Sequence, residues 1–129
     1  MRPRSKWLFV CRTEELGERE YKTFDLIYSG EHQASIIIRF NEKYYAYLNR
    51  CVHMPRKLNC ESDVIFDATG NYLRCSMHGI VYDPITGVSQ STMCNGEKLQ
   101  SLKLIEEDGN IYIDDKCVAA IPVGIASLC

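Results

Sequence analysis

Apolar and polar residues alternate one by one over much of this chain, and the alternating segments are rich in Val, Ile, Tyr and Phe, which suit a pleated, half-buried surface. The pattern predicts strands over residues 7–11, 23–28, 34–40, 44–48, 102–105 and 111–113. Helical periodicity is scarce. Asn41, Glu42 and Lys43 separate two of the strands, and Glu107-Asp108-Gly109-Asn110 separates the last two, its Asp-Gly pair being a strong hairpin signal. The expected fold class is all-β, with antiparallel strands.

Between the fourth and fifth of these strands the pattern breaks. Prolines, glycines and Cys/His pairs concentrate in residues 49–100, which predicts an inserted, loop-rich subdomain. The 129 residues, 46% of them hydrophobic, suffice for a single domain around its own core. Loops must satisfy their backbone groups while burying few side chains, so a bound cofactor would supply the order that apolar packing does not. The tail, residues 117–129, is small and apolar and suits a packed edge, a contact between subunits or disorder equally well.

Charge narrows the range of partners. A net charge of -2 gives no basic face for a phosphate backbone, so nucleic acid is not expected. No apolar run is long enough to cross a bilayer, and Met1 to Leu16 mixes Arg, Lys and Glu with a short apolar stretch, unlike a signal peptide. The expected location is cytoplasmic, away from membranes.

Seven cysteines at irregular intervals make a poor disulfide framework, being odd in number and lacking an export signal. Two of the three histidines follow a cysteine closely, in Cys51-Val52-His53 and Cys75-Ser76-Met77-His78. Each motif places a thiolate and an imidazole within one turn of chain, so two loops can close on one metal site from opposite sides.

Together these motifs resemble the C-x-H and C-x-x-H signature of Rieske proteins. The stretch Cys75-Ser76-Met77-His78-Gly79-Ile80-Val81-Tyr82-Asp83-Pro84-Ile85-Thr86-Gly87 is similar to that family's second cluster loop and the turn after it. Thr69 to Arg74 is similar to the strand that feeds this loop in stand-alone bacterial Rieske ferredoxins. The resemblance implies a Rieske-type antiparallel β-sandwich with an inserted cluster-binding subdomain. It also implies one [2Fe-2S] cluster, with Cys51 and Cys75 on the inner iron and His53 and His78 on the outer, solvent-facing one. Neutral imidazoles replace two thiolates there, which raises the potential and leaves ring nitrogens that couple redox to protonation.

Around the cluster, the resemblance assigns Gly79, Ile80 and Tyr82. Gly79 and Tyr82 match the high-potential respiratory members, but Ile80 stands where they carry a serine and cannot donate a hydrogen bond. Met77 stands where they carry a disulfide cysteine. The expected potential therefore lies above roughly -150 mV and well short of roughly +300 mV. Two features depart from the family: a spacer of 21 residues between His53 and Cys75, and Pro55, which removes a backbone N–H where a glycine is common.

The function this implies is a soluble one-electron carrier between a flavin-dependent reductase and a terminal oxygenase or other redox enzyme. The expectation is an electron-transfer protein and not an enzyme, and not the oxygenase itself, because His32 alone is left to build a second, mononuclear iron site. Two alternatives stand beside it. One is a small Rieske-like subunit of a reductase such as nitrite reductase. The other is a non-redox zinc-binding module, although zinc fingers pair cysteine with cysteine and histidine with histidine. Cys11, Cys60, Cys94, Cys117 and Cys129 read as small apolar residues, His32 as an exposed turn residue, and Tyr44, Tyr45 and Tyr47 as core. The acidic clusters 14–20 and 106–108 read as solvated turns.

Overall fold

A computed structural model describes residues 6–51, 57–59, 63–75, 80–91 and 97–121. Among them, β1 (Leu8–Arg12), β8 (Leu104–Glu107) and β9 (Asn110–Ile113) form a three-stranded antiparallel sheet in the order β1-β9-β8. A second sheet runs β10-β2-β3-β4-β7, built from β2 (Tyr21–Tyr28), β3 (Glu31–Phe40), β4 (Lys43–Leu48), β7 (Ser101–Leu102) and β10 (Val118–Ala119). The third is a ribbon of β5 (Leu73–Arg74) and β6 (Val81–Tyr82). No helix among the described residues is long and apolar enough to cross a membrane.

Three tight turns set the registers. Ser29-Gly30, Asn41-Glu42 and Asp108-Gly109 all have positive φ at both positions, as the two-residue turn that matches strand twist requires. A glutamate is an uncomfortable choice for that conformation. Glu18 offsets the cost, because its carboxylate accepts the N–H of Asn41 at 2.6 Å and of Glu42 at 2.9 Å. Those backbone bonds, the one from Glu42 above all, hold the Glu18 carboxyl below its ordinary range.

β3 is the centre of the molecule. Ile36, Ile37 and Ile38 are all fully buried because both faces of the five-stranded sheet are covered. Ile37 joins Leu26, Ala46, Leu48 and Leu102 in a core against Cys11, Ile111 and Ile113 of the three-stranded sheet. Ile36, Ile38, Phe40 and Tyr47 face the other way, into a core shared with Cys51, Cys75 and the β5–β6 ribbon.

The predicted all-β antiparallel sandwich matches this architecture, with corrections of detail. The strand expected over residues 102–105 is two strands. Ser101–Leu102 pairs with β4, the chain breaks at Lys103, and Leu104–Glu107 pairs with β9 in the other sheet. His32 is exposed as expected but lies on β3 opposite Ile27, 3.9 Å from Asp25, and not in a turn. Of the three tyrosines expected in the core, Tyr47 is fully buried, while Tyr44 and Tyr45 are half-buried. The acidic stretch after β1 does more than meet solvent. Besides Glu18, Glu15 accepts the N–H of Arg12 and Glu20 that of Gly17. The tail contributes Val118–Ala119 to the sheet edge beside β2. Cys11 is buried, which pushes its thiol up, and Cys117 is half-buried. Cys60, Cys94 and Cys129 lie outside the described residues.

Candidate metal centre

Two connections bring the cysteines into one core. β4 delivers the chain to Asn49, whose N–H donates to Ala34 O at 2.9 Å, and two residues later Cys51 is buried at 2% exposure. The second connection is the β5–β6 ribbon, with Leu73 opposite Tyr82 and Arg74 opposite Val81. At its tip the N–H of Cys75 donates to Ile80 O at 2.8 Å, closing the base of the second loop with Cys75 at 1% exposure.

Residues 49–100, expected to be loop-rich, contain more ladder than that. Arg74 N donates to Ile65 O, Gln90 N to Val81 O and Ser89 N to Glu97 O, and bridges join Phe66 to Leu73 and Val88 to Lys98. These short antiparallel pairings satisfy the backbone where the apolar pattern is too brief to announce a strand.

Leu58, Ile65, Leu73, Ile80 and Leu99 pack around Cys51 and Cys75. Within this apolar setting the hydroxyl of Tyr82, itself fully buried, lies 3.2 Å from the sulfur of Cys51. Once Cys51 is a thiolate, only the hydroxyl can be the donor. Ile80 is buried at 2% and adds no donor of its own side chain.

Beneath the second loop lies a support, Tyr47, for which the sequence predicts only a place in the core. The Tyr47 hydroxyl donates to Pro84 O at 2.7 Å. Burial first, then the negative charge of Asp83, pushes that phenol far above its ordinary range, so it stays a donor. Gly87 closes the turn at φ 78°, and a Cβ there would stand 2.8 Å from the Tyr47 ring. Asn49 is buried too, and its Oδ1 accepts the N–H of Leu58 at 2.8 Å. Its only sequence signal is a short polar residue between a strand end and the first Cys/His motif.

His53, His78 and Gly79 lie outside the described residues, as do Pro55 and Met77. The described half of the set fits an iron–sulfur group. Two thiols outside any disulfide share one dry core, and a hydroxyl is aimed at one sulfur. Soft ligands in an apolar pocket suit iron or zinc and not a hard cation.

Comparison with known families decides between these metals. The sequence profile of the Rieske [2Fe-2S] domain matches residues 6–106. The chain belongs to the Rieske [2Fe-2S] family. A Rieske domain implies one [2Fe-2S] cluster, which sets the zinc alternative aside.

The Rieske fold of this chain is also found in solved structures. The reduced complex between oxygenase and ferredoxin in carbazole 1,9a-dioxygenase matches with a TM-score of 0.68 and 25% identity, over 85% of this chain and 28% of that one. The ferredoxin of carbazole 1,9a-dioxygenase from Nocardioides aromaticivorans IC177 matches with a TM-score of 0.68 over 86% of this chain and 99% of that one. A complex of reduced oxygenase and oxidized ferredoxin in carbazole 1,9a-dioxygenase matches with a TM-score of 0.67 over 84% and 92%. The last two are 20% identical, a likeness of fold. In several other matches the chain spans only 28% of its counterpart. No curated protein matches the chain.

Proposed function

We propose that this chain is a one-electron carrier, taking electrons from a flavin-dependent reductase and passing them to a terminal oxygenase or similar redox enzyme. Cys51 and Cys75 hold the inner iron of its [2Fe-2S] cluster, and His53 and His78 hold the outer. The observation that carries this reading is the burial of both thiols in one apolar core with the Tyr82 hydroxyl 3.2 Å from the Cys51 sulfur. Likeness in fold to a ferredoxin over 99% of that protein's length supports a carrier.

When bound, the cluster supplies reversible one-electron redox chemistry. Tyr82 donates to the Cys51 sulfur and so stabilises the added negative charge of the reduced state. Ile80, Leu58 and Ile65 exclude water from the cysteine end, and the bond from Cys75 N–H to Ile80 O fixes the second loop at its base. The histidine end, by this assignment, is where a partner docks.

The test is electron paramagnetic resonance of the anaerobically purified, dithionite-reduced protein. Mixed nitrogen and sulfur ligation gives a lower average g value than four thiolates, and His53→Cys or His78→Cys should abolish that signal. A spectrum of four-thiolate type, or a folded protein without iron, would overturn the assignment. Gel filtration then separates carrier from reductase subunit, since a carrier stays folded and monodisperse alone.

A further inference from the structure

Asn49 is a polar side chain in a dry place. Its residue is 4% exposed, at the point where β4 ends and the first Cys/His loop begins. Its Oδ1 accepts the N–H of Leu58 at 2.8 Å, and its Nδ2 donates to Oδ1 of Asn59 at 2.9 Å. Its own N–H is anchored on Ala34 O of β3. The amide thus spans from the strand that enters the loop to the residues that leave it, and Cys51 and His53 lie between.

The two loops differ in how they are closed. The second has the β5–β6 ladder and the bond from Cys75 to Ile80. For the first, the described bonds that join its two ends both come from the Asn49 side chain. Leu58, held by one of them, is fully buried in the core that contains Cys51 and Cys75.

We propose that Asn49 is a positioning residue for the cluster, its amide clamping the ends of the first loop so that the Cys51 thiolate stays in place through redox cycling. The proposal rests on the ligand assignment above. Without the clamp, Leu58 N–H and the Asn59 amide lose their buried partner, the loop end loosens, and the thiolate dissociates more readily.

Growth of the red ferrous bathophenanthroline complex from the anaerobic, dithionite-reduced holoprotein, with dithionite kept in excess to supply ferrous iron, measures this. Asn49→Ala should release iron about tenfold faster, and Asn59→Ala, which removes one of the two bonds, should accelerate release less. Leu26→Val, in the opposite core, serves as a control matched in lost thermal stability and should leave the release rate unchanged. Asn49→Ala should also broaden the g anisotropy of the reduced protein, which a merely structural loss would not do. Release from Asn49→Ala no faster than from Leu26→Val overturns the clamp. Should Asn49→Ala fail to fold, an Asn59→Ala rate equal to wild type overturns it equally. A wild-type spectrum of four-thiolate type would instead sink the ligand assignment and the clamp with it.

Discussion

At the residue scale, the hydroxyl of Tyr82 offers the most direct handle on potential. One hydrogen bond to a ligand sulfur, worth about 1 kcal/mol more in the reduced state, corresponds to roughly 40 mV in a one-electron couple. Tyr82→Phe should therefore lower the midpoint by about that much in protein-film voltammetry. An unchanged midpoint would mean that the contact at 3.2 Å does not distinguish the redox states. Gly87 is a packing constraint of a different kind. Left-handed φ and a Cβ 2.8 Å from the Tyr47 ring combine, so Gly87→Ala should cost about 3 kcal/mol by denaturant titration. Tyr47→Phe keeps the ring and removes only the bond to Pro84 O, so it should cost about 1–2 kcal/mol. The proposed ligand set, Cys51, His53, Cys75 and His78, is read from spacing and resemblance. Tyr47 and Asn49 could not be read that way, because their partners at Pro84 and Leu58 are set by the fold.

At the element scale, hairpins fix the five-stranded sheet, and Glu18 secures the turn least suited to its residues. The Glu18 carboxyl titrates below its unfolded value, so the stability it contributes is present above the ordinary carboxylate range. That stability is lost as pH falls through the depressed value. Glu18→Gln should lower stability at neutral pH and flatten its decline below about pH 5 in thermal melts. Some slope should remain, because Asp67, held down chiefly by the Thr69 hydroxyl, titrates in the same direction. Glu18→Ala, which leaves two turn N–H groups to water at a partly exposed site, should cost about 1 kcal/mol. The strand at residues 34–40 was legible because its branched residues have no other use. The break at Lys103 was not, since an unbroken run of suitable residues gives no sign of where one sheet hands over to another.

At the scale of the whole molecule, two cores lie back to back on β3, and one of them contains Cys51 and Cys75. Removing the cluster with acid and chelator should deprotect amides near Cys51 and Cys75 in hydrogen exchange. β2, β3 and β9 should remain protected, since their core around Leu26, Ile37 and Ile111 contains neither Cys51 nor Cys75. Deprotection of β2 and β9 together with the loops would show instead that the cluster holds the entire fold.

The sequence by itself determined the strand-rich class, the Asp-Gly hairpin and the two Cys/His motifs on which the proposed ligand set rests, because alternation, turn chemistry and Cys/His spacing are local and need no partner to be recognised. Tertiary structure decided which face each residue served. Cys11 is buried because β1 shifts register between Phe9 and Cys11, which turns it inward against Ile111. Ile36 and Ile37 are both buried because a sheet covers one side of β3 and the layer that carries Cys51 and Cys75 the other. Such placements depend on what lies across the sheet, and no stretch of chain carries that information alone.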